Sequence, residues 1–447
     1  SLGALDDTLV FYIIGDNGAS AEGTPVGCFN EMTTLNGMPG IETTEFLMSK
    51  IDDFGTPEAY NHYAVGWAHA LCTPYQWTKQ VASHWGGTRN GTIVRWGNGL
   101  GDGGGIRHQF HHVIDIVPTI LEAAGIPAPQ SVNGITQAPL EGVSMLGSLR
   151  SADAPETHDV QYFEIMGNRG IYFQGWTAVT KHRTPWKMAA PLPFDEDVWE
   201  LYGPGDWTQS RDLSKEQPEQ LAYLQRLWLI EATKYGVVPL DDRTVERIIP
   251  ELSGRPSLIK GTSQLMFSGM RLAEAAVISV KNRSHAVTAE IDVPDGGANG
   301  VIVTQGGLAG GWALYVHEKK LTYCYNFFGI DYYVTSAEKE IPAGRHQVRM
   351  EFAYDGGGLA QGGDITLFYD GEPVGTGRVD RTQPVGFSAD EACDVGRDTG
   401  SSPSPDYRPG TSAFTGTIAW VEIDTGDDDH DHLVTAEDRL RIAMGKQ

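Results

Sequence analysis

Asp16 and Asn17 stand side by side between Gly15 and Gly18. A carboxylate next to a carboxamide oxygen offers hard donors, suited to Ca²⁺ or Mg²⁺ rather than to a thiolate-seeking metal. Asp-Asn-Gly also spells an ordinary turn, and on these residues alone both readings stand. Further on, Lys79 is the single cation in the aromatic stretch Cys72-Thr-Pro-Tyr-Gln-Trp-Thr-Lys79, and the pair Gly86-Gly87 follows it. The aromatics Tyr75, Trp77 and Trp85 read either as core or as the wall of a pocket for an apolar or aryl group. His111 and His112 precede a helix start and read as structural.

The element that must position Asp16 and Asn17 is the run Leu9–Ile14, apolar throughout and rich in Val, Ile and aromatics. Such a run predicts a parallel strand covered by helices on both faces. In open α/β sheets ligands bind beyond the carboxyl ends of the strands, where these two residues lie. Neighbouring strand side chains point to opposite faces, so both can converge only if the chain leaves the strand there. Gly15 and Gly18 permit that departure.

Ile41–Asp53 has helical spacing, and Asp115 opens an Ile-Val-Pro-Thr-Ile-Leu-Glu-Ala-Ala helix stopped by Gly125. Pro218–Tyr235 reads as a longer helix. The short strand candidates Thr92–Val94, Val160–Ile165 and Ile171–Phe173 are too few for a comfortable sheet. A preceding portion of the domain is therefore expected outside this chain. From about residue 262 the texture becomes short alternating strands, from Ala286–Val293 to Ile418–Ile423, with an Asp370-Gly371 hairpin turn, which argues a β-sandwich. The domain reading is thus 1–250, a linker 251–261, a sandwich 262–424 and an acidic tail 425–447, with Thr435 and Asp438 capping a short helix.

The chain has 447 residues, so two or three domains are expected, and its formal net charge is -25. That charge argues against nucleic acid and anionic membrane surfaces as partners. No apolar run is long enough to span a bilayer. Cys28, Cys72, Cys324 and Cys393 form no paired pattern and read as reduced thiols. Asn90 and Asn282 lie in glycosylation sequons.

Several stretches in shared order resemble the sulfatase family of the alkaline-phosphatase-like superfamily. These are Ile13-Ile-Gly-Asp-Asn-Gly-Ala, Lys79 with Gly86-Gly-Thr-Arg, Asp115-Ile-Val-Pro-Thr-Ile-Leu-Glu-Ala-Ala-Gly, and Trp199-Glu-Leu-Tyr with Asp212-Leu. Residues 1 to about 250 look like the C-terminal part of such an α/β catalytic domain, closest to large bacterial arylsulfatases that append a β-sandwich. The resemblance implies that Asp16 and Asn17 are ligands of a divalent cation, usually Ca²⁺. It implies that Lys79 contacts the sulfate ester, with His84 as a weaker alternative. It also implies a bacterial cytoplasm or periplasm.

The family's nucleophile is a formylglycine made within a Cys/Ser-x-Pro-x-Arg motif ahead of the Asp-Asn strand. Cys72-Thr-Pro-Tyr-Gln has Gln76 in place of the arginine and comes after that strand, so it is rejected as nucleophile. The formylglycine is expected only in the missing N-terminal segment, which is then a partner of this chain. Three readings follow. The first is sulfuric ester hydrolysis, with this chain alone inactive. The second is a phosphodiesterase or phosphonate hydrolase of the same superfamily. The third is a non-catalytic remnant whose sandwich binds carbohydrate or a protein.

Overall fold

Strand β1 (Val10–Ile13) pairs antiparallel with β2 (Thr92–Arg95), from Val10 opposite Arg95 to Ile13 opposite Thr92. This corrects the expected buried parallel strand. Tyr12 is 62% exposed and Ile14 55%, and among the described residues no strand pairs with the second edge of β1. The run is apolar on both faces, as a doubly covered strand requires, but among the described residues only β2 pairs with it. The structure is a computed structural model and describes residues 3–100, 103–187, 191–243 and 259–426, with 247, 253, 254, 256 and 432.

By its internal contacts the chain divides into two units, one of residues 1–26 and 63–243, the other of 27–62 and 244–447. In the first, β3 (Ser131–Val132) and β4 (Ile135–Thr136) make a small ribbon. The strands β5 (Val160–Ile165), β6 (Asn168–Phe173), β7 (Trp176–Thr180) and β8 (Trp199–Tyr202) make an antiparallel four-stranded sheet in that order. Its first two hairpins turn on Met166-Gly167 and Gln174-Gly175, all four with positive φ, the geometry whose twist matches the flanking strands. The helix Pro218–Lys234 buries Leu224, Trp228 and Ala232 against Ile171, Ala178 and Leu201 of this sheet. The i, i+4, i+8 spacing puts those three on one face.

The second unit is a β-sandwich. Its strands are β9 (Ser263–Met266), β10 (Arg271–Ala273), β11 (His285–Val293), β12 (Gly300–Gly307), β13 (Gly310–His317), β14 (Lys320–Phe327), β15 (Asp331–Ser336), β16 (Gly344–Tyr354), β17 (Gly363–Tyr369), β18 (Glu372–Val379), β19 (Ala392–Val395) and β20 (Thr417–Asp424). One sheet runs β10-β19-β12-β13-β14-β15 and the other β18-β17-β16-β11-β20-β9, each six-stranded. Ile291, Trp312, Tyr323, Phe327, Val348 and Leu367 lie in the core between them. Asp370-Gly371 turns the β17–β18 hairpin as expected, with both φ positive.

Residues 27–62, which the sequence reading left in the first domain, group with this sandwich. Met32 enters its core. The Asn30 amide donates to the carbonyls of Ala309 at 2.8 Å and Phe328 at 2.9 Å. The Asn36 side-chain oxygen accepts from the amides of Val385 and Gly386 at 2.8 and 3.1 Å. Within this stretch the expected single helix is broken into Thr44–Ser49 and flanking 3-10 turns. All four cysteines are free and buried. No described helix is long and apolar enough to cross a membrane. About half of the expected linker, and nearly all of the expected acidic tail with the Thr435–Asp438 cap, lie outside the described residues.

Candidate active site

Beyond β1 the chain is stitched down by its backbone. The Ile14 amide donates to Gly91 O at 2.9 Å, Gly18 N to Gly87 O at 3.0 Å, and Lys79 N to Ala19 O at 3.1 Å. The Ala19 amide donates to the Cys72 sulfur at 3.2 Å. Glycine is required where these segments meet. A Cβ on Gly18 would lie 1.7 Å from Gly86 O, and one on Gly86 would lie 2.1 and 2.2 Å from the carbonyl oxygens of Gln76 and Trp77. The Asp-Asn-Gly turn, the Gly86-Gly87 turn and the segment bearing Lys79 are therefore one local construction.

Asp16 is exposed and Asn17 half-buried, and neither side chain is engaged by another described residue. Their oxygens fit a hard cation by type. Among the described residues no group of three or more His, Cys, Asp or Glu side chains comes together to hold a metal. The pair thus falls short of the roughly six to eight oxygens that Ca²⁺ takes.

The Lys79 ammonium lies 3.3 Å from Glu22 Oε2. Glu22 also accepts from the Ser20 hydroxyl and, at 3.0 Å on its other oxygen, from the Gln80 amide. Glu22 was missed in the sequence reading, although a lone carboxylate six residues past Asp16 was the available signal.

His84 is fully buried, with Nδ1 2.8 Å from Ser83 Oγ and Nε2 3.2 Å from Glu200 Oε2. Both ring nitrogens are taken, which removes it as an alternative substrate contact. The bond from His84, with that from the Tyr202 hydroxyl, holds the Glu200 carboxyl below its ordinary value against the effect of burial. Cys72 is buried, which pushes its thiol up, away from nucleophilic chemistry.

Of the aromatics, Trp85 is core among Phe110, Phe163 and Tyr172. Trp77, half-buried and with φ of 68°, faces Trp186 at 6.2 Å and carries the Lys181 ammonium 4.9 Å above its ring. Tyr75 packs edge-on against Trp207.

Asp115 is fully buried and accepts from the amides of His112 and Val143 at 2.8 and 2.9 Å and from His158 Nδ1 at 2.9 Å. Burial alone would raise its carboxyl, but these bonds bring it below the ordinary value. His158 is raised in turn, because its bonds to Asp115 outweigh its own burial. His112 contributes its Nδ1 as acceptor for the Ile114 amide at the helix start, and burial lowers both His111 and His112. This cluster is a structural ion pair that fixes the helix Ile116–Ala124 to the strand β5 side of the unit.

Residues 1–126 match the family profile described as Sulfatase. An uncharacterized sulfatase of Schizosaccharomyces pombe is 26% identical over 248 residues, which are 54% of this chain and 41% of that protein. The chain thus spans about two-fifths of the length of that relative. Among solved structures, a Ruminococcus gnavus IT-sialidase CBM40 bound to alpha2,3 sialyllactose aligns with 42% of this chain and 99% of its own, at 14% identity and a TM-score of 0.27. Domains LG4-5 of the mouse laminin alpha1 chain align with 37% of this chain and 43% of their own, at 16% identity and a TM-score of 0.27. Likenesses of that size assign nothing to the sandwich. On the profile and the yeast relative, residues 1–126 of this chain are similar to the sulfatase family.

Proposed function

We propose that this chain is the C-terminal part of a sulfuric ester hydrolase, with the α/β arrangement of the alkaline-phosphatase-like superfamily completed by a nucleophile-bearing segment. In this reading Asp16 and Asn17 would supply two oxygens to a Ca²⁺ site, whose chemistry would be Lewis-acid stabilisation of charge on the ester. The Lys79 ammonium contacts the sulfate and stabilises negative charge that develops as the ester bond breaks, which is worth most in a site closed to water. The formylglycine and the remaining metal donors belong to the other segment.

The observation that carries this is the bond from the Lys79 amide to Ala19 O, two residues past Asn17. It supports the reading by tying the Asp16-Asn17 turn and the Lys79 segment into one framework within the residues that match the Sulfatase profile. The exposed apolar faces of β1 suit a covering layer supplied by that segment.

The test joins the chain to its nucleophile segment and follows 4-nitrophenyl sulfate hydrolysis. The chain alone should be inactive, while the joined protein should turn over. Lys79→Ala should then lower kcat/KM by roughly a hundredfold, the usual scale for removing one charge-stabilising donor. Calorimetry should show weaker Ca²⁺ binding in Asp16→Ala. Full turnover by the isolated chain, or unchanged Ca²⁺ affinity, would overturn the respective assignment.

A further inference from the structure

We infer that Glu22 is a positioning residue that holds the Lys79 ammonium in place before substrate arrives. This rests on the reading of Lys79 as the sulfate contact. Lysine carries its charge at the end of a flexible four-carbon stem, and holding such a group in one geometry costs conformational entropy. When the cost is met in the free protein, it does not have to be met again in the transition state.

The geometry fits such a pre-set arm. The Lys79 main chain is anchored by its amide to Ala19 O, and its tip is 3.3 Å from Glu22 Oε2. Glu22 is in turn fixed from two sides by neutral donors, the Ser20 hydroxyl and the Gln80 amide. Ser20 and Glu22 follow the Asp16-Asn17 turn directly, and Gln80 follows Lys79. The carboxylate therefore bridges the two arms of the candidate site.

The pair is also reached by water, with the Lys79 and Glu22 side chains 37% and 28% exposed. A half-exposed ion pair adds little stability, which leaves orientation as its main effect. Lys79 has two further N–H donors, and Glu22 is its only ionic partner among the described residues. Those donors remain available to ester oxygens while the third stays on the carboxylate. The negative charge of Glu22 also limits how tightly a sulfate ester is held before reaction, which favours turnover over ground-state binding.

The test is a double-mutant cycle in the joined, active protein, with 4-nitrophenyl sulfate as substrate and inorganic sulfate as competitive inhibitor. Glu22→Gln should lower kcat by about tenfold, the scale of a misplaced catalytic group, without raising KM. Inorganic sulfate should bind as well or better. In a Lys79→Ala background the same change should cost less than about twofold, because a positioning effect needs the group it positions. Glu22→Asp keeps the charge and should restore part of the lost kcat, and melting curves check that each variant is folded.

Equal losses in both backgrounds, or a loss confined to KM, would overturn the positioning role while leaving the Lys79 assignment intact. A harmless Lys79→Ala would overturn both.

Discussion

His285 opens β11 inside the sandwich and is 8% exposed. Its Nδ1 donates to the Arg283 carbonyl at 3.2 Å, so Nε2 carries the lone pair, and that atom has no partner. The ring stands 5.2 Å from Phe352 and faces a small cavity walled by Trp312, Tyr323, Tyr325, Phe387 and the Lys281 side chain. Lys281 is paired with Glu274 at 2.6 Å, so no free carboxylate among the lining residues offsets a charge on the imidazole. Burial lowers His285 from 6.5 to about 4.

A depressed base binds fewer protons in the folded than in the unfolded state. Its stability contribution is therefore full above pH 6.5 and is lost as pH falls toward 4. The full difference is about 3 kcal/mol, most of it already lost at pH 4.5. His285→Phe removes the titration and adds an aromatic ring among aromatic walls. The assay is urea unfolding at pH 7.5 and 4.5, read by hydrogen exchange on peptides from β11, which reports the sandwich alone.

Asp398 in the same unit complicates the total pH dependence. Burial raises it to about 7, so it favours the folded state at low pH and opposes the His285 effect. The difference between wild type and variant is what isolates His285. The variant should lose on the order of 2–3 kcal/mol less than wild type on going to pH 4.5. Parallel losses in the two proteins would refute the argument that His285 is buried neutral.

Two further predictions concern the first unit. Asp115→Asn leaves His158 buried without its counter-charge and should cost about 3–5 kcal/mol, measured by urea unfolding. The raised His158 contributes below pH 6.5 and loses its contribution as pH rises through its folded value, whereas the lowered Asp115 contributes above pH 3.8. The deficit should therefore be largest between pH 3.8 and 6.5, and a deficit that grows above that window would count against the pair. Gly18→Ala drives a methyl into Gly86 O and should cost about 3 kcal/mol as a lower melting temperature of this unit. An unchanged melting curve would mean the two glycine turns do not touch.

Much of the sandwich was legible because its strands alternate and are punctuated by turn residues, as at Tyr369-Asp-Gly-Glu372. The strands β9, β10, β15, β18 and β19 were not. β18 carries Pro373, Gly375 and Gly377, which local propensity disfavours, and it survives at the sheet edge where proline is tolerated. β19, Ala-Cys-Asp-Val, is too short to show a period and is fixed by β10 and β12 on either side.

In the first unit the helices at Ile116 and Pro218, the strand β5 and the second half of β6 followed their caps and turns, whereas β7 and β8 were not legible. The surroundings of β1 did not follow, since an apolar run states what it needs and not what this chain provides. At the candidate site, Asp16, Asn17 and Lys79 stand out by pattern. Glu22 was not, because its part depends on a contact 57 residues away in sequence. The same holds for residues 27–62, whose polar, glycine-rich text reads as loop until Asn30 meets β-strand ends nearly 300 residues later.

That last contact sets a schedule for the ribosome. Asn30 must wait for Ala309 and Phe328, 279 and 298 residues downstream. At about 5–20 residues per second this is a delay of roughly 15–60 s. Through that interval the stretch around Met32 has left the exit tunnel without its partners, while most of the first unit is still being made. The nascent chain thus carries a loose loop whose capture by chaperones, or by a neighbouring nascent chain, competes with correct assembly until the sandwich closes on it.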